Sequence, residues 1–187
     1  MNLGRLKEDF IVSARMLRQP RCLALSGLML ALQVILGMST IQIDSSIQIT
    51  FDYLPLYVTA YFCGPVPAML TGGLSDLIAF LIRPTGAFNP GFTLSAALSG
   101  LIYSLFVYRK DFDKPWKLML SVALARLTVA AVCNVCLNSA WLILMYGQGA
   151  LAWIPARLFK NLIEYPISIL LIHSLHRLIA RIQKNTL

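Results

Sequence analysis

The sequence predicts an all-α integral membrane protein of six transmembrane helices, with both termini in the cytoplasm. Two observations carry this. Of 187 residues, 58% are apolar and 13% charged, against the roughly 25% charged residues of ordinary soluble domains. With a mean hydropathy of +0.71, one soluble core cannot hide the apolar surface, so lipid has to solvate the rest. The second observation is placement: the 16 Lys and Arg collect in short segments beside long apolar runs, as the positive-inside rule describes for cytoplasmic loops. The net charge of +8 would suit nucleic acid, but cations confined in this way leave no base-reading surface, and no nucleic-acid partner is expected.

Residues 1–20 form a first unit. Leu3, Leu6, Phe10, Ala14 and Leu17 share one helical face, with Arg5, Lys7, Arg15 and Arg18 elsewhere. Two readings are open, an amphipathic helix on the inner membrane surface and a solvated tail. The apolar run after Arg21 lacks a small-x-small cleavage site and is followed by further spans, which argues against a cleaved signal peptide.

Residues 21–187 form the membrane-embedded unit. Its first span runs from about Cys22 to Met38, long enough for a core of about 30 Å at 1.5 Å per residue. From Thr40 to Asp52, Ile41, Ile43, Ile47 and Ile49 alternate with polar residues, a period of two that predicts an extended loop segment. A short second span begins near Tyr53-Leu-Pro and stops at Cys63-Gly-Pro-Val-Pro. The third covers about Pro67 to Ile82 and ends at the proline- and glycine-rich stretch 83–91, which forbids a continuing helix. Phe92 to Tyr108 is the fourth, Leu118 to Tyr146 a long fifth, and Trp153 to about Leu175 the sixth, with Pro155 near its first turn, where proline is tolerated.

Orientation follows from twelve of the 16 cations: Arg5, Lys7, Arg15, Arg18 and Arg21, then Arg109, Lys110, Lys114 and Lys117, then Arg177, Arg181 and Lys184. In a six-span chain all twelve fall on one side, the cytoplasmic side. The loops at 39–52, 83–91 and 147–152 then face outward.

Cys22, Cys63, Cys133 and Cys136 all lie in or beside apolar runs. Cys133 and Cys136 make a CxxC, but inside a span and without further Cys or His at ligand spacing, so packing is the expected role and no metal or cofactor is expected. No Walker A loop, no HExxH and no regional Ser, His and acid set is present, so ATP-driven work would need other subunits. His173 and His176, at the far end of the last span, read as interfacial.

Ionisable residues inside spans mark function by default. On the sixth span Arg157, Lys160, Asn161 and Glu164 stand at steps of three and four and form one polar stripe. The stripe either lines a wet cavity open to the outside or glues helices by ion pairing. On the fifth span Asn134, Asn138 and Trp141 share a face at matching depth. An indole beside amides and an arginine can stack on a flat heterocycle and hydrogen-bond its edge; Trp141 alone would equally fit an interfacial belt. Asp76 and Arg126 lie at nearly the same depth, which predicts a buried ion pair with a structural role. Gly27 and Ala31 have the small-xxx-small spacing of close helix contacts.

Leu54-Pro55, Phe62-Cys-Gly-Pro65, Gly73-Leu-Ser-Asp76-Leu-Ile, Pro84-Thr-Gly-Ala-Phe-Asn-Pro-Gly-Phe-Thr93 and Gly100-Leu-Ile-Tyr103 form an ordered series of blocks. It continues with Leu137-Asn138-Ser-Ala-Trp141, Tyr146-Gly147 and Pro155-Ala-Arg157-Leu-Phe-Lys160-Asn161-Leu-Ile. From about residue 23 onward the chain thus resembles the membrane-embedded substrate-binding (S) components of energy-coupling factor (ECF) vitamin transporters, the folate type in particular. The resemblance implies a plasma-membrane importer subunit that binds folate or a reduced folate from outside and has no ATPase of its own. It implies a site built by the first and third outer loops and the last three helices, hence Gln48, Asp52, Phe88 and Phe92 beside Asn138, Trp141, Arg157, Lys160 and Asn161. It also implies that Gly27 and Ala31 meet the coupling subunit EcfT, itself driven by the ATPases EcfA and EcfA′. One departure stands out: folate-type members carry an arginine before the stretch leading to Leu-Pro, where this chain has Gln48-Ile-Thr-Phe-Asp52-Tyr, one cation fewer to meet a glutamyl carboxylate. The other readings are an S component for another vitamin or heterocyclic precursor, an intramembrane enzyme using Glu164 or Asp76 as acid or base, and an assembly scaffold.

Overall fold

The computed structural model describes residues 3–39, 41–44, 47–84, 87–110, 115–147 and 154–186. Prolines and glycines set most of the element boundaries. Helix α1 spans Leu3–Met16, and α2, Pro20–Met38, opens on Pro20, where a missing N–H costs nothing. Strands β1 (Ile41–Asp44) and β2 (Ile47–Ile49) follow, then α3 (Tyr53–Cys63). Gly64, at φ +84°, turns the chain directly into α4 (Pro65–Ile82); a Cβ there would stand 2.7 Å from the Tyr108 ring, so the position needs glycine twice over. Helix α5 (Pro90–Val107) is capped by the Asn89 side chain, which accepts the Gly91 N–H at 2.8 Å. Helix α6 (Pro115–Thr128) runs on through a π-helical stretch, Val129–Leu137, into α7 (Asn138–Tyr146). Helix α8 (Ile154–Thr186) carries Pro166 in its interior.

The period-two segment is a two-stranded antiparallel hairpin, with Ile41 opposite Ile49 and Gln42 opposite Gln48, and an irregularity between Gln42 and Asp44. Its second strand packs along α8. Helix α8 also runs eleven residues beyond the expected Leu175, because its charged last turns still favour helix although they leave the apolar run.

Five helical segments among the described residues are long and apolar enough to cross a membrane: Pro20–Met38, Pro65–Ile82, Pro90–Val107, Trp116–Met145 and Leu158–Ile179. Helix α3 has 11 residues, about 16 Å, and does not bridge a core of about 30 Å. Six-fold spanning therefore does not follow from the lengths.

Packing is tightest between α4 and α5. A Cβ on Gly72 would stand 2.5 Å from the Ala96 carbonyl oxygen, and one on Gly100 2.3 Å from that of Ala68. The two backbones touch at Ala68·Gly100 and Gly72·Ala96, a small-xxx-small pair on each helix. Around it the core collects Tyr57, Ala60, Tyr103, Val107, Val122, Ala125 and Ile172, while Leu23, Leu28, Leu81, Leu144 and Leu170 point outward. Large apolar groups facing outward are the arrangement that lipid solvation allows.

Ser13 fastens α1 to this bundle. It is fully buried; its hydroxyl donates to the Cys63 carbonyl at 3.1 Å and accepts the Val66 N–H at 2.9 Å. Arg109 pairs with Asp9 at 3.1 Å, and the Tyr108 hydroxyl donates to the Met16 sulfur at 3.3 Å. The amino-terminal segment is an amphipathic helix docked on the α3–α4 turn, not a free tail.

Candidate functional site

Helices α3 and α4 meet at Gly64, so they share a level there, but α4 has 18 residues to α3's 11. At 1.5 Å per residue α3 stops about 10 Å short of the other end. At that end, where the hairpin lies, the segment 50–52 leads into α3, and α4 and its neighbours extend past it. Their polar residues define the candidate site.

Its floor is a buried charge cluster. The Arg126 guanidinium bonds the Glu164 carboxylate at 3.1 Å, donates from Nε to Ser168 Oγ at 3.1 Å and from an Nη to the Tyr103 hydroxyl at 3.4 Å. The Tyr53 ring lies against it at 4.6 Å. Arg126 and Glu164 are 5% and 3% exposed, so each charge depends on the other. This corrects the expected Asp76–Arg126 pair. Asp76 instead accepts the Thr93 hydroxyl at 2.7 Å across the α4–α5 contact, because matched depth places two residues at one level but not on facing sides. Of the predicted stripe on α8, Glu164 serves the ion pair.

Two walls come from α7 and α8. The π-helical stretch closes with the Asn138 N–H on the Cys133 carbonyl, five residues back, which rotates the faces beyond it relative to a regular α-helix. Asn134 consequently reaches α8, donating to Asn161 Oδ1 at 3.0 Å. Trp141 turns to α5, donating to Ser95 Oγ at 3.2 Å. The expected single face of Asn134, Asn138 and Trp141 is therefore split between two neighbours. The indole lies on the backbone of Gly91, where a Cβ would stand 2.3 Å from the ring. Asn138 sits between these contacts with its Oδ1 buried and without a partner among the described residues, and Lys160 is half-buried one residue before Asn161.

At the hairpin end, Asp52 precedes α3 without capping it. Its Cβ is 3.7 Å from where a Cβ on Gly37 would stand. Phe92, in the first turn of α5, is partly buried, whereas Phe88 is 48% exposed and packs on Phe80 with ring centres 5.1 Å apart. Gln48 lies on β2 opposite Gln42; its side chain and that of Arg157 are outside the described residues. The structure thus places Asn138 and Trp141 on α7 and joins Asn161 of α8 to Asn134 of the preceding π-helical stretch, with Asp52 next to α3 and Phe88 exposed before α5.

Sequence reasoning missed Tyr53, Tyr103 and Ser168. Ser168 had a signal, standing four residues after Glu164 on the same helical face; the tyrosines belong to other helices and had none. His176 is not merely interfacial either: its Nδ1 and the Tyr57 hydroxyl are hydrogen-bonded at 3.0 Å.

Comparison with known proteins adds three findings. The family described as "ECF transporter, substrate-specific component" matches residues 21–176. The chain is 34% identical over 154 residues to the folate transporter FolT of Leuconostoc mesenteroides, covering 80% of each, and 30% identical to the FolT of Clostridium novyi over 137 residues, covering 73% of this chain and 77% of that one. It also superposes on a solved structure described as FolT bound with folic acid, at a TM-score of 0.72 and 31% identity, over 83% of this chain and 92% of that one.

Proposed function

Because the chain belongs to the substrate-specific components of ECF transporters and is a multi-pass membrane protein, we propose that it captures folate or a reduced folate from outside the cell. It then releases the vitamin inward after docking to an energising module. The observation that supports this reading is the polar set on α7 and α8: the Trp141 indole against α5, the Asn138 amide whose buried Oδ1 has no partner among the described residues, and Asn161 bonded to Asn134. Folate is a flat pterin, an aminobenzoyl ring and a glutamate, so its pocket needs a stacking surface, amide-like edges and at least one cation. Trp141 supplies the surface, Asn138 and Asn161 the edges, and Lys160 with Arg157 the cations for a carboxylate. Gln48 and Asp52 from the segment before α3, and Phe88 and Phe92 at the start of α5, close over them. The likeness to proteins named for folate supports the same ligand.

In this reading the chain crosses the membrane six times, α3 making a short second crossing with the hairpin above it, and both termini are cytoplasmic. Residues 1–20 are then a cytoplasmic amphipathic unit on the six-helix domain 21–187. The coupling subunit EcfT meets α2 at Gly27 and Ala31, and EcfA with EcfA′ hydrolyse ATP. Both residues are exposed on α2 and nothing lies within 4 Å of a Cβ placed on Gly27, so that face is open to a second helix. Calorimetric titration of the purified native protein with folate decides the ligand. Saturable binding with one site is expected; no heat with folate, together with a different small molecule co-purifying from cells, would overturn it.

A further inference from the structure

Tyr53 is the first residue of α3, at the point where helix gives way to the candidate site. Its side chain is 3% exposed, yet its hydroxyl has no hydrogen-bond partner among the described residues. The ring lies on the Arg126 guanidinium at 4.6 Å. Side chains lean toward the amino terminus of their helix, and the amino terminus of α3 faces the hairpin end. Tyr53 therefore stands at the hairpin-side edge of the packed core, its ring buried in the cluster that holds Tyr57 and Tyr103.

Tyr103 provides the internal comparison. It touches the same guanidinium, but its hydroxyl accepts a hydrogen bond from Arg126 at 3.4 Å. One tyrosine hydroxyl on this cation is satisfied within the protein and the other is not. A buried, unsatisfied hydroxyl is destabilising on its own, and native structures keep few of them. Three further buried polar atoms on α2 and α7 lack a partner among the described residues, Gln33 Oε1, Asn138 Oδ1 and Ser139 Oγ. With the Tyr53 hydroxyl they offer two acceptors and two hydroxyls that can donate or accept.

The geometry points to Tyr53 as a further ligand-contacting residue, its hydroxyl bonding the polar edge of a flat heterocycle that carries N–H donors and a ring nitrogen or carbonyl side by side. This rests on the folate reading and deepens it: the aminopyrimidinone edge of a pterin is such a group, and the aminobenzoyl-glutamate portion is not. Tyr53 thereby becomes a specificity residue for the heterocycle, separate from the cations that meet the carboxylate.

The test compares Tyr53→Phe with Tyr103→Phe in the purified full chain, by calorimetry with folate, pterin and p-aminobenzoylglutamate and by thermal unfolding without ligand. Tyr53→Phe should weaken folate and pterin about three- to tenfold, the range of one neutral hydrogen bond. It should leave p-aminobenzoylglutamate unchanged and unfold at or above the native temperature, since it removes an unsatisfied group. Tyr103→Phe should unfold at a lower temperature. Native folate affinity in Tyr53→Phe overturns the inference, and so does a lowered unfolding temperature with equal losses for both fragments, which marks a structural residue. Absence of folate binding by the native protein overturns the folate reading and this inference with it; native binding with an unaltered Tyr53→Phe overturns this inference alone.

Discussion

Arg126 is held by Glu164, Ser168, Tyr103 and the Tyr53 ring at once, and its removal leaves a carboxylate buried without a counter-charge. Loss of one partner of such a pair costs about 3–5 kcal/mol, whereas replacing both by apolar groups of similar volume is often neutral. Arg126→Ala should therefore lower the unfolding temperature sharply, and Arg126→Met with Glu164→Leu should recover most of it; thermal unfolding in detergent reads both, and equal stability of the single and double variants would show the pair to be independent groups. Trp141 tests the site. Trp141→Ala should weaken folate binding at least tenfold. Gly91→Ala should weaken it too, because its Cβ would drive the indole off the α5 backbone; calorimetry measures both, and native affinity in Trp141→Ala moves the pocket elsewhere. Trp141, Asn138, Lys160 and Asn161 stood out as candidates in the sequence because polar groups in a span are few. The partner of Arg126 was not, since depth along two helices follows from counting residues while the facing direction depends on how the helices are packed.

Among the elements, the alternating isoleucines read correctly as extended chain, since period two survives any packing. The nine-residue π-helical stretch left no mark in the sequence, and assuming regular helical steps through it put Asn134 and Trp141 on one face. The α4–α5 contact was readable in principle: Ala68-xxx-Gly72 and Ala96-xxx-Gly100 carry the same spacing that drew attention to Gly27 and Ala31. Spacing alone does not say which small pairs are used internally, and the distances do. Adjacent glycines should accordingly behave oppositely. Gly72→Ala brings a Cβ to 2.5 Å from a backbone oxygen and Gly100→Ala to 2.3 Å, where neither helix can yield without parting. At Gly73 a Cβ meets only ordinary contacts at 3.7 Å. Gly72→Ala and Gly100→Ala should lower the unfolding temperature, and Gly73→Ala should leave it unchanged or slightly raised; a uniform response of all three would mean that the helices do not touch backbone to backbone.

At the scale of the whole molecule, charge placement and exposed small residues make separate demands. The charge asymmetry requires Ala87 and Lys110, both exposed, to lie on opposite sides of the membrane. Single cysteines at these positions, in a background without Cys22, Cys63, Cys133 and Cys136, should react with an impermeant thiol reagent from outside and from inside respectively; reaction of both from outside would reverse the topology. The exposed face of α2 makes the other demand. With lipid tails as apolar as leucine, nothing favours small residues on a lipid-facing surface, whereas a partner helix can approach closely only where side chains are short. Gly27 and Ala31 stand exposed one turn apart with no contact waiting for a Cβ on Gly27, so larger side chains there have nothing to strain inside the chain. Gly27→Leu with Ala31→Leu should therefore leave unfolding temperature and folate affinity native while abolishing co-purification with the coupling subunit and ATP-driven uptake. The unaltered stability separates this pair from Gly72 and Gly100, whose spacing is the same but whose neighbours are already in place. Native uptake by the double leucine variant would show that docking uses another face.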